Sequence, residues 1–417
     1  MDATAASVPT AGKTWLVLTV LTTVSFFNYL DRMSVSILVV QIKRDLSLSD
    51  TQIGLVSGLS FALFYAVMGL PIARIADRYN KAIVLGVCVA VWSLATAFSG
   101  AATSFGMLLL ARALVGVGEA GCVPASFAII AQRFAIERRP FAISVFQSGF
   151  LLGSGLGMIG ASYFGEVLGW RATVAIIGLA GLPVAVLVGL TLRGEPGRQA
   201  AGAPRTIVED VKALLQRRSF VHALAALSLT TFGTAAVTQW LPTFMVRSFQ
   251  APLATAGTIV GICMGVGGLL GMISGGIVAG FLTKRDRRWD FWMCSIAYPA
   301  AGAVFLLAVL SSRIELAAVF SFVSIFILFT ANGAGLSSVQ RLAEPERRAT
   351  ANAVLIMVTA ILGNGLGPVI VGFSSDHLQA AAGAEALRWS LAISTISFAW
   401  AAWHFLLAAR ADRGPVQ

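Results

Sequence analysis

Long apolar segments alternate with short polar segments over the whole chain. A membrane-spanning helix needs about 20 predominantly apolar residues. Twelve segments reach that length: 14–41, 51–73, 82–102, 105–131, 139–165, 171–192, 220–247, 253–281, 289–311, 314–339, 349–375 and 386–409. The pattern therefore predicts an all-α membrane protein with twelve transmembrane helices.

The longest polar stretch, residues 193–219, follows the sixth apolar segment. It predicts a first bundle of six helices (1–192), a linker (193–219) and a second bundle of six helices (220–417). Within the linker, the sequence "IVEDVKALLQ" at 207–216 has the mixture of apolar and charged residues that is typical of a short amphipathic helix on a membrane surface.

Two motifs recur at matching distances in the two halves of the chain. "QRFAIERRPFA" at 132–142 returns as "QRLAEPERRATA" at 340–351, and "LGSGLG" at 152–157 returns as "LGNGLG" at 362–367. The offsets are 208 and 210 residues, which is about half of the chain. Basic loops and glycines are common in membrane proteins, but two matched features at one offset favour a repeat. A parallel repeat of six plus six helices is typical of transporters with a substrate path between two bundles.

The charged residues are few and unevenly placed. They make up 12% of the chain, about half the fraction that is usual in a soluble protein. If the N-terminus is cytoplasmic, 22 of the 30 Lys and Arg residues fall on the cytoplasmic side, 6 on the opposite side and 2 within the membrane. By the positive-inside rule, this asymmetry predicts that both termini are cytoplasmic. The net charge of +11 therefore sets orientation and does not indicate a nucleic-acid partner.

The sequence contains no motif of a membrane enzyme or of a metal site. The four cysteines all lie in apolar segments and lack the spacing of metal ligands. Neither H-E-x-x-H nor G-x-S-x-G occurs. We therefore predict no catalytic residue, no metal and no cofactor. A membrane receptor or scaffold is the alternative outside transport.

Four charged residues lie deep inside apolar segments, away from the segment ends: Asp31, Arg32, Arg112 and Glu119. Charges within a membrane are expensive and are functional by default. Asn28, Asp31 and Arg32 share one face of the first helix, because they are three and four residues apart. Arg112 and Glu119 are seven residues apart, so they lie two turns apart on one face of the fourth helix.

These charges predict a network that can switch. A carboxylate stays ionised beside an arginine and takes up a proton when it moves away. We therefore predict that Asp31 or Glu119 couples transport to protons. Arg32 or Arg112 would then bind an anion. Gly116 lies between Arg112 and Glu119, and we expect it to leave room for a long side chain or a ligand. The alternative is a static ion pair that only fixes helix packing.

Weakly polar side chains mark the apolar segments of the second half. We predict a substrate-binding set that joins both halves: Asn28, Arg32, Arg112, Thr234, Thr238, Trp240, Asn332 and Asn364. The alternative for the threonines is a hydrogen bond back to their own helix. A charged wall opposite an apolar wall suits an amphipathic anion, although a small organic anion would need the arginines alone.

Several motifs resemble those of a known family. The loop "ARIADRYNK" at 73–81 and the residues Arg112, Gly116 and Gly118 are similar to signatures of the major facilitator superfamily, although Ala73 and Asn80 replace two loop glycines. "NYLDR", "VGVGEA", "WLPTF" and "GLGPVIVGFSSD" resemble bacterial spinster-like proteins most closely.

The resemblance implies a monomeric, multi-pass transporter of the inner (plasma) membrane that works by alternating access. Its implied substrates are lysolipids or sphingoid phosphates, and its implied coupling ion is the proton. The organic-anion symporters of the same superfamily share "NYLDR" and the Gly-Glu-Ala step. A small organic-anion:proton symporter is therefore the alternative.

The resemblance also implies a conformational latch in the loop after the second helix. Its residues would be Asp77, Arg78 and Lys81. Their candidate partners are Glu137 and the N-terminus of the eleventh helix near Ala349, since a helix N-terminus attracts carboxylates. The alternative is an ordinary hydrated loop.

Overall fold

Helices joined by short turns make up the described part of the chain. The computed structural model describes residues 11–135, 138–192, 207–344 and 347–412. No β-strand occurs within these ranges, and the all-α prediction is confirmed there. The α-helices are α1 (Ala11–Asp45), α2 (Asp50–Gly54), α3 (Ser60–Arg78), α4 (Lys81–Ser99), α5 (Phe105–Glu119), α6 (Cys122–Arg133), α7 (Arg139–Thr191), α8 (Ile207–Gln216), α9 (Arg218–Phe249), α10 (Leu253–Ile262), α11 (Gly268–Leu282), α12 (Trp289–Leu310), α13 (Ile314–Leu342), α14 (Arg348–Val358), α15 (Leu366–Ala382), α16 (Ala386–Ser394) and α17 (Ile396–Ala411).

Nine helical stretches of the described residues are apolar and long enough to cross a membrane. Two of them are much longer than one crossing requires, namely Phe141–Thr191 with 51 residues and Thr350–Ala411 with 62 residues. The first bends at Gly169, whose φ of 75° and ψ of 164° favour glycine. The second is interrupted by a 3₁₀ turn at Gly383–Glu385. Each of these stretches therefore consists of two helical arms.

Three π-helical segments interrupt the helices. Segment π1 (Leu55–Leu59) joins α2 to α3, π2 (Cys263–Gly267) joins α10 to α11, and π3 (Thr359–Gly365) joins α14 to α15. Segments π1 and π3 touch each other, since a Cβ atom on Gly58 would come within 2.7 Å of the Gly365 carbonyl oxygen. Such segments are rare and are frequent at functional sites.

The two ends of the helices carry different charges. We call the side on which α6 and α13 end the basic side, because Arg133, Arg139, Arg341 and Arg348 lie there. We call the side on which α2 begins the Asp50 side. Helix α1 runs from the basic side to the Asp50 side, and α9 runs in the same direction at the start of the second half.

The repeated glycine motif makes equivalent contacts in both halves of the chain. The first and third glycines pack against the first long helix of their own half, whereas the middle glycine packs against the opposite half. The contacts join Gly153 to Phe26, Gly157 to Leu30, Gly155 to Gly261, Gly363 to Thr231, Gly367 to Phe232 and Gly365 to Leu59. The repeat of sequence is therefore also a repeat of contacts. Glycine allows backbones to approach this closely because it has no side chain.

The contact between Gly153 and α1 gives a prediction. A Cβ atom on Gly153 would come within 2.2 Å of the Phe26 carbonyl oxygen. We expect Gly153→Ala to lower the free energy of unfolding by about 1–3 kcal/mol, as overpacking does. The matched control is Gly160→Ala on the same helix, where an added Cβ atom meets no atom within 4 Å. Equal thermal stability of the two purified variants in detergent would contradict the expectation.

The helix predicted in the linker is confirmed. Helix α8 spans Ile207–Gln216, the ten residues predicted from the sequence. Its Asp210 carboxylate accepts a hydrogen bond from Arg347 Nε at 3.2 Å, which connects α8 to the residue preceding α14. The position of α8 on a membrane surface stays a prediction, and residues 193–206 lie outside the described ranges.

Candidate functional site

The four charged residues predicted from the sequence lie close together within the first half. Helix α1 carries Asp31 and Arg32, and α5 carries Arg112 and Glu119. Asp31, Arg112 and Glu119 are at most 3% exposed. The Arg32 side chain is 21% exposed and lines a cavity.

Arg32 forms an ion pair with Glu119. The Nε atom of Arg32 donates to Oε2 of Glu119 at 3.2 Å, and Nη2 donates to the same oxygen. The other carboxylate oxygen of Glu119, Oε1, is buried without a hydrogen-bond partner. A guanidinium group has five N–H donors, so this pairing leaves donors for a further anion.

Three aromatic rings surround the Arg32 guanidinium. Its Cζ atom lies 4.4 Å from the ring centre of Phe61, 4.8 Å from that of Tyr29 and 5.7 Å from that of Tyr65. Rings at these distances attract a cation through their π faces, and the attraction grows where water is excluded. The rings thus help to stabilise the charge of Arg32 at the membrane interior.

Asp31 and Arg112 lie behind this ion pair. The Oδ2 atom of Asp31 accepts a hydrogen bond from the Thr96 hydroxyl in α4, and Oδ1 is buried without a partner. Arg112 lies close enough to Asp31 and Glu119 for their charges to interact. Its Nε and Nη1 atoms nevertheless have no partner among the described residues. Most buried polar atoms in proteins bond to protein or to ordered water, so these atoms have capacity for a water molecule or a proton.

The space beside Gly116 is filled by the protein itself. A Cβ atom on Gly116 would come within 2.5 Å of the Phe61 carbonyl oxygen. The expectation that this glycine admits a ligand or a long side chain is therefore wrong. Its effect is to let the backbone of α3 approach α5.

A cavity of about 250 Å³ lies between the two halves. Tyr29, Arg32 and Met33 of α1 line it from the first half, and most of the remaining wall comes from α9 and α13. Arg32 is the one charged side chain among the described residues that line this cavity. The cavity therefore presents a single positive charge to its contents.

The opposite wall combines apolar side chains with uncommitted polar ones. Thr234, Thr238, Asn332 and Asn364 all line the cavity. None of their side chains makes a hydrogen bond within the described part of the chain. The alternative interpretation was that the threonines bond back to their own helix. It holds for Thr231, which was not in the predicted set, because its hydroxyl donates to the Leu227 carbonyl of α9.

Three members of the predicted substrate-binding set do not line the cavity. Trp240 is fully buried, and its indole Nε1 donates to the Pro368 carbonyl oxygen at 3.0 Å. Asn28 and Arg112 are buried within the first half. Trp240 thus connects α9 to α15, and in this structure it is too enclosed for contact with a ligand.

The two halves are held together on the Asp50 side by an ion cluster that was not predicted from the sequence. Both carboxylate oxygens of Asp50 accept hydrogen bonds from Arg247 of α9 at 2.8 Å. Lys43 and Ser375 donate to the same carboxylate. Asp50 is only 2% exposed, so this bidentate pair is largely removed from water.

Two helix N-termini on the same side are capped by carboxylates of the opposite half. Asp376 of α15 accepts from the backbone amides of Asp50 and Thr51 at 2.9 and 2.8 Å. Glu166 of α7 accepts from the amide of Ala254 at 2.9 Å. Acidic groups stabilise the first turn of a helix because its amides are unpaired and its dipole is positive.

A signal for these caps was present in the sequence. Glu166 and Asp376 each follow the last glycine of the repeated motif, Gly157 or Gly367, by nine residues. Both acids lie at the ends of the apolar segments, where a hydrated loop is the default interpretation. Their equivalence becomes evident only after the repeat is extended beyond the glycines.

The contacts on the basic side are different. A groove of about 570 Å³ opens there, and all the described residues that line it belong to the second half. Gly276 and Gly280 of α11 and Gly333 of α13 are among them, and an added Cβ atom on any of the three would meet no atom within 4 Å. This groove belongs to the second half alone, whereas the bonds of Asp50, Asp376 and Glu166 that join the two halves lie on the Asp50 side.

The predicted latch lies mostly outside the described side chains. This applies to Asp77, Arg78, Glu137 and Ala349. Lys81 is buried in the first turn of α4. Asn80, which replaces a glycine of the loop signature, caps α4, because its side-chain oxygen accepts from the amide of Ala82 at 2.9 Å. The latch stays a prediction.

Metal binding has no obvious site in the ranges that the structure covers. No group of three or more His, Cys, Asp or Glu side chains there could hold a metal ion. The four cysteines are buried and unpaired.

Comparisons with known proteins point to one family. The model of the Major Facilitator Superfamily matches residues 21–368. The chain is 32% identical to an MFS-type efflux pump of Mycolicibacterium smegmatis over 415 residues, which cover 97% of this chain and 95% of that protein. It is 29% identical to the sphingosine-1-phosphate transporter SPNS2 of Danio rerio, with coverage of 84% of this chain and 74% of the relative.

A solved structure has the same fold. It is the crystal structure of a bacterial homologue of the human lysosomal transporter Spinster in an inward-facing and unoccupied conformation. The two structures align with a TM-score of 0.88 and 25% sequence identity. The alignment covers 98% of this chain and 100% of the other.

Proposed function

Because the chain belongs to the Major Facilitator Superfamily as a spinster-like transporter, we propose that it moves an amphipathic organic anion across the membrane by alternating access. The substrate class is that of lysolipids and sphingoid phosphates, and the coupling ion is the proton. The observation that carries the proposal is the cavity between the halves, which has the charge of Arg32 on one wall and a mixture of apolar and uncharged polar side chains on the other.

The anionic group of the substrate would bind Arg32, which lines the cavity and has N–H donors that Glu119 does not use. Thr234, Thr238, Asn332 and Asn364 would contact its polar linker. The cavity volume of about 250 Å³ is below the usual range for drug-sized ligands. A long alkyl chain would therefore extend out of the cavity.

Glu119 would couple this binding to protons. As a carboxylate it competes with the substrate for Arg32, because both are anions that accept from the same guanidinium. Protonation of Glu119 removes its negative charge and weakens the ion pair, so Arg32 becomes available. Asp31 is the second candidate, because its Oδ1 atom is buried and unpaired beside Thr96.

The proposed topology has twelve spans in two bundles, residues 1–192 and 220–417, with both termini in the cytoplasm. The protein would be a monomer in the inner membrane of the cell. It counts each of the two longest apolar stretches as two spans and adds α1. The basic side is then cytoplasmic by the positive-inside rule. When the Asp50 side opens, Asp77, Arg78, Lys81 and Glu137 would hold the bundles together on the basic side.

The substrate class is tested with alkyl phosphates that differ only in chain length. We expect competition with a labelled lysolipid in proteoliposomes to strengthen by about fourfold for each added methylene, the equivalent of about 0.8 kcal/mol. The gain should stop once the chain leaves the small cavity. Arg32→Gln is expected to lose competition by every member of the series.

A different outcome would favour the alternative function. Competition that does not depend on chain length, together with proton-driven uptake of short carboxylates or phosphates, indicates a small organic-anion:proton symporter. The single positive charge of the cavity would serve either substrate. Absence of flux for all these compounds, with and without a pH gradient, would contradict transport and favour a receptor.

A further inference from the structure

A second cavity lies on the basic side of the second half, away from the cavity that contains Arg32. Its volume is about 1030 Å³, and it lies between the ends of α9, α13 and α17. Six arginines line it: Arg217, Arg218, Arg287, Arg341, Arg348 and Arg410. We call it the arginine pocket. Among the described residues, the lining contains two carboxylates, those of Glu344 and Asp412.

Half of these arginines are already paired. Arg217 forms an ion pair with Glu344, Arg341 forms one with Asp290 at 2.6 Å, and Arg287 lies 3.8 Å from Asp412. These contacts neutralise part of the charge and hold the pocket wall in place.

The other three arginines have no partner of this kind. Arg218, Arg348 and Arg410 take part in no ion pair or side-chain hydrogen bond within the described part of the chain. Three positive charges around one cavity repel each other, and the repulsion is relieved when an anion binds between them. The protein therefore presents an excess of N–H donors in a concave site.

The donors indicate the chemistry of the ligand. Guanidinium groups bind phosphate with two parallel hydrogen bonds, and several arginines in one pocket are typical of phosphate recognition. Phe291 and Leu407 add apolar surface to the same lining. We propose that the arginine pocket binds a phosphate-bearing anion at a site separate from the transport cavity.

The position of the pocket fits the headgroup of a membrane phospholipid. Trp400 and Trp403 of α17 are 58% and 55% exposed, and tryptophans favour the interface between lipid and water. Arg410 follows Trp403 by seven residues, which is about 10 Å along the helix. Basic pockets between helix ends at this level bind anionic headgroups. A soluble phosphate ester has the same charged group, so the experiment must separate the two sources.

The experiment uses the full-length protein and removes only the unpaired arginines. The pocket variant carries Arg218→Ala, Arg348→Ala and Arg410→Ala, which break none of the ion pairs described above. The control variant carries Arg138→Ala, Lys284→Ala and Arg285→Ala. It loses the same charge from the same side, at residues that do not line the arginine pocket.

Binding is measured in two arms. Native mass spectrometry counts the phosphatidic acid that stays bound after release from nanodiscs of phosphatidylcholine mixed with phosphatidic acid. Thermal unfolding in detergent measures stabilisation by glycerol phosphate. We expect the pocket variant to bind the phosphate compound about tenfold more weakly or worse, since charge-assisted hydrogen bonds are lost. The control variant should stay within about twofold of the unmodified protein, because exposed charges contribute little.

The two arms identify the source, and the variants test the site. A loss confined to phosphatidic acid indicates a lipid headgroup, whereas a loss confined to glycerol phosphate indicates a soluble ester. Equal losses in the pocket and control variants would overturn the proposal, as would unchanged binding by the pocket variant. If the triple variant does not fold, Arg410→Gln alone should weaken binding about threefold or more, and unchanged binding by that variant would count against the site.

The transport proposal can fail without affecting this inference. Arg32 is absent from the arginine pocket, and Arg32→Gln should leave phosphate binding there unchanged. Conversely, the pocket variant should keep the response to alkyl-chain length that the central cavity predicts.

Discussion

Glu119→Gln is expected to abolish the response of transport to pH. Glutamine has nearly the shape of glutamate but neither takes up a proton nor forms the ion pair that Glu119 makes with Arg32. Uptake driven by a pH gradient in proteoliposomes should fall about tenfold or more, and the remaining flux should not change with pH.

Binding should change in the opposite direction. Without its carboxylate competitor, Arg32 should bind the substrate anion about tenfold more tightly, which corresponds to about 1.4 kcal/mol. Competition assays with alkyl phosphates measure this change. Glu315→Gln is the control, because Glu315 and its partner Arg313 are 69% and 71% exposed and lie outside the cavity.

Asp31 provides the contrasting result. If Asp31→Asn removes the pH response and Glu119→Gln does not, Asp31 is the coupling group. The proposal that Glu119 competes with the substrate for Arg32 is then wrong. If both variants are expressed normally and keep the full pH response, the network is a static ion pair and proton coupling through it is excluded.

Asp50→Asn is expected to open the Asp50 side. The substitution removes the negative charge that holds Arg247 of α9 and leaves Arg247 and Lys43 facing a neutral group. Breaking a buried ion pair costs about 3–5 kcal/mol. Even about 3 kcal/mol would change the ratio of closed to open protein about 100-fold. Spin labels on α1 and α9 at the Asp50 side should therefore show a longer distance.

Asp45→Asn is the matched control for this effect. Asp45 lies on the same side and pairs with Arg171, but both residues belong to the first half. Its substitution should leave the distance between the halves unchanged. Equal distances in Asp50→Asn and in the unmodified protein would show that the ion cluster does not hold the halves together.

The sequence was sufficient for the helices and for the charged cluster. Apolar length predicts the spans, and the expected segment 14–41 agrees with α1 (Ala11–Asp45) to within a few residues. Spacing placed Asp31 and Arg32 on one face of the first helix and Arg112 and Glu119 on one face of the fourth, and their opposite charges predicted a shared network. Charges that lie deep in apolar segments are conspicuous, because few other residues there can bind an ion.

The sequence was insufficient where contact depends on the approach of two distant segments. Asp50 and Arg247 each look like ordinary polar ends of helices, and only the packing of α2 against α15 and α9 makes their pair buried. Trp240 lies near the threonines in sequence, but it points to Pro368. Periodicity identifies a face of a helix and does not identify its neighbour.

The carboxylate caps that join the two halves also provide a measure of how often the Asp50 side opens. The amide hydrogens of Asp50, Thr51 and Ala254 are bonded to Asp376 and Glu166 in the structure, and the proposed opening of the Asp50 side would break these bonds. Each opening exposes them to solvent, where deuterium can replace them. Their exchange therefore counts openings in unlabelled protein without a known substrate. Matching exchange rates at the two caps would mean that both caps open in the same event.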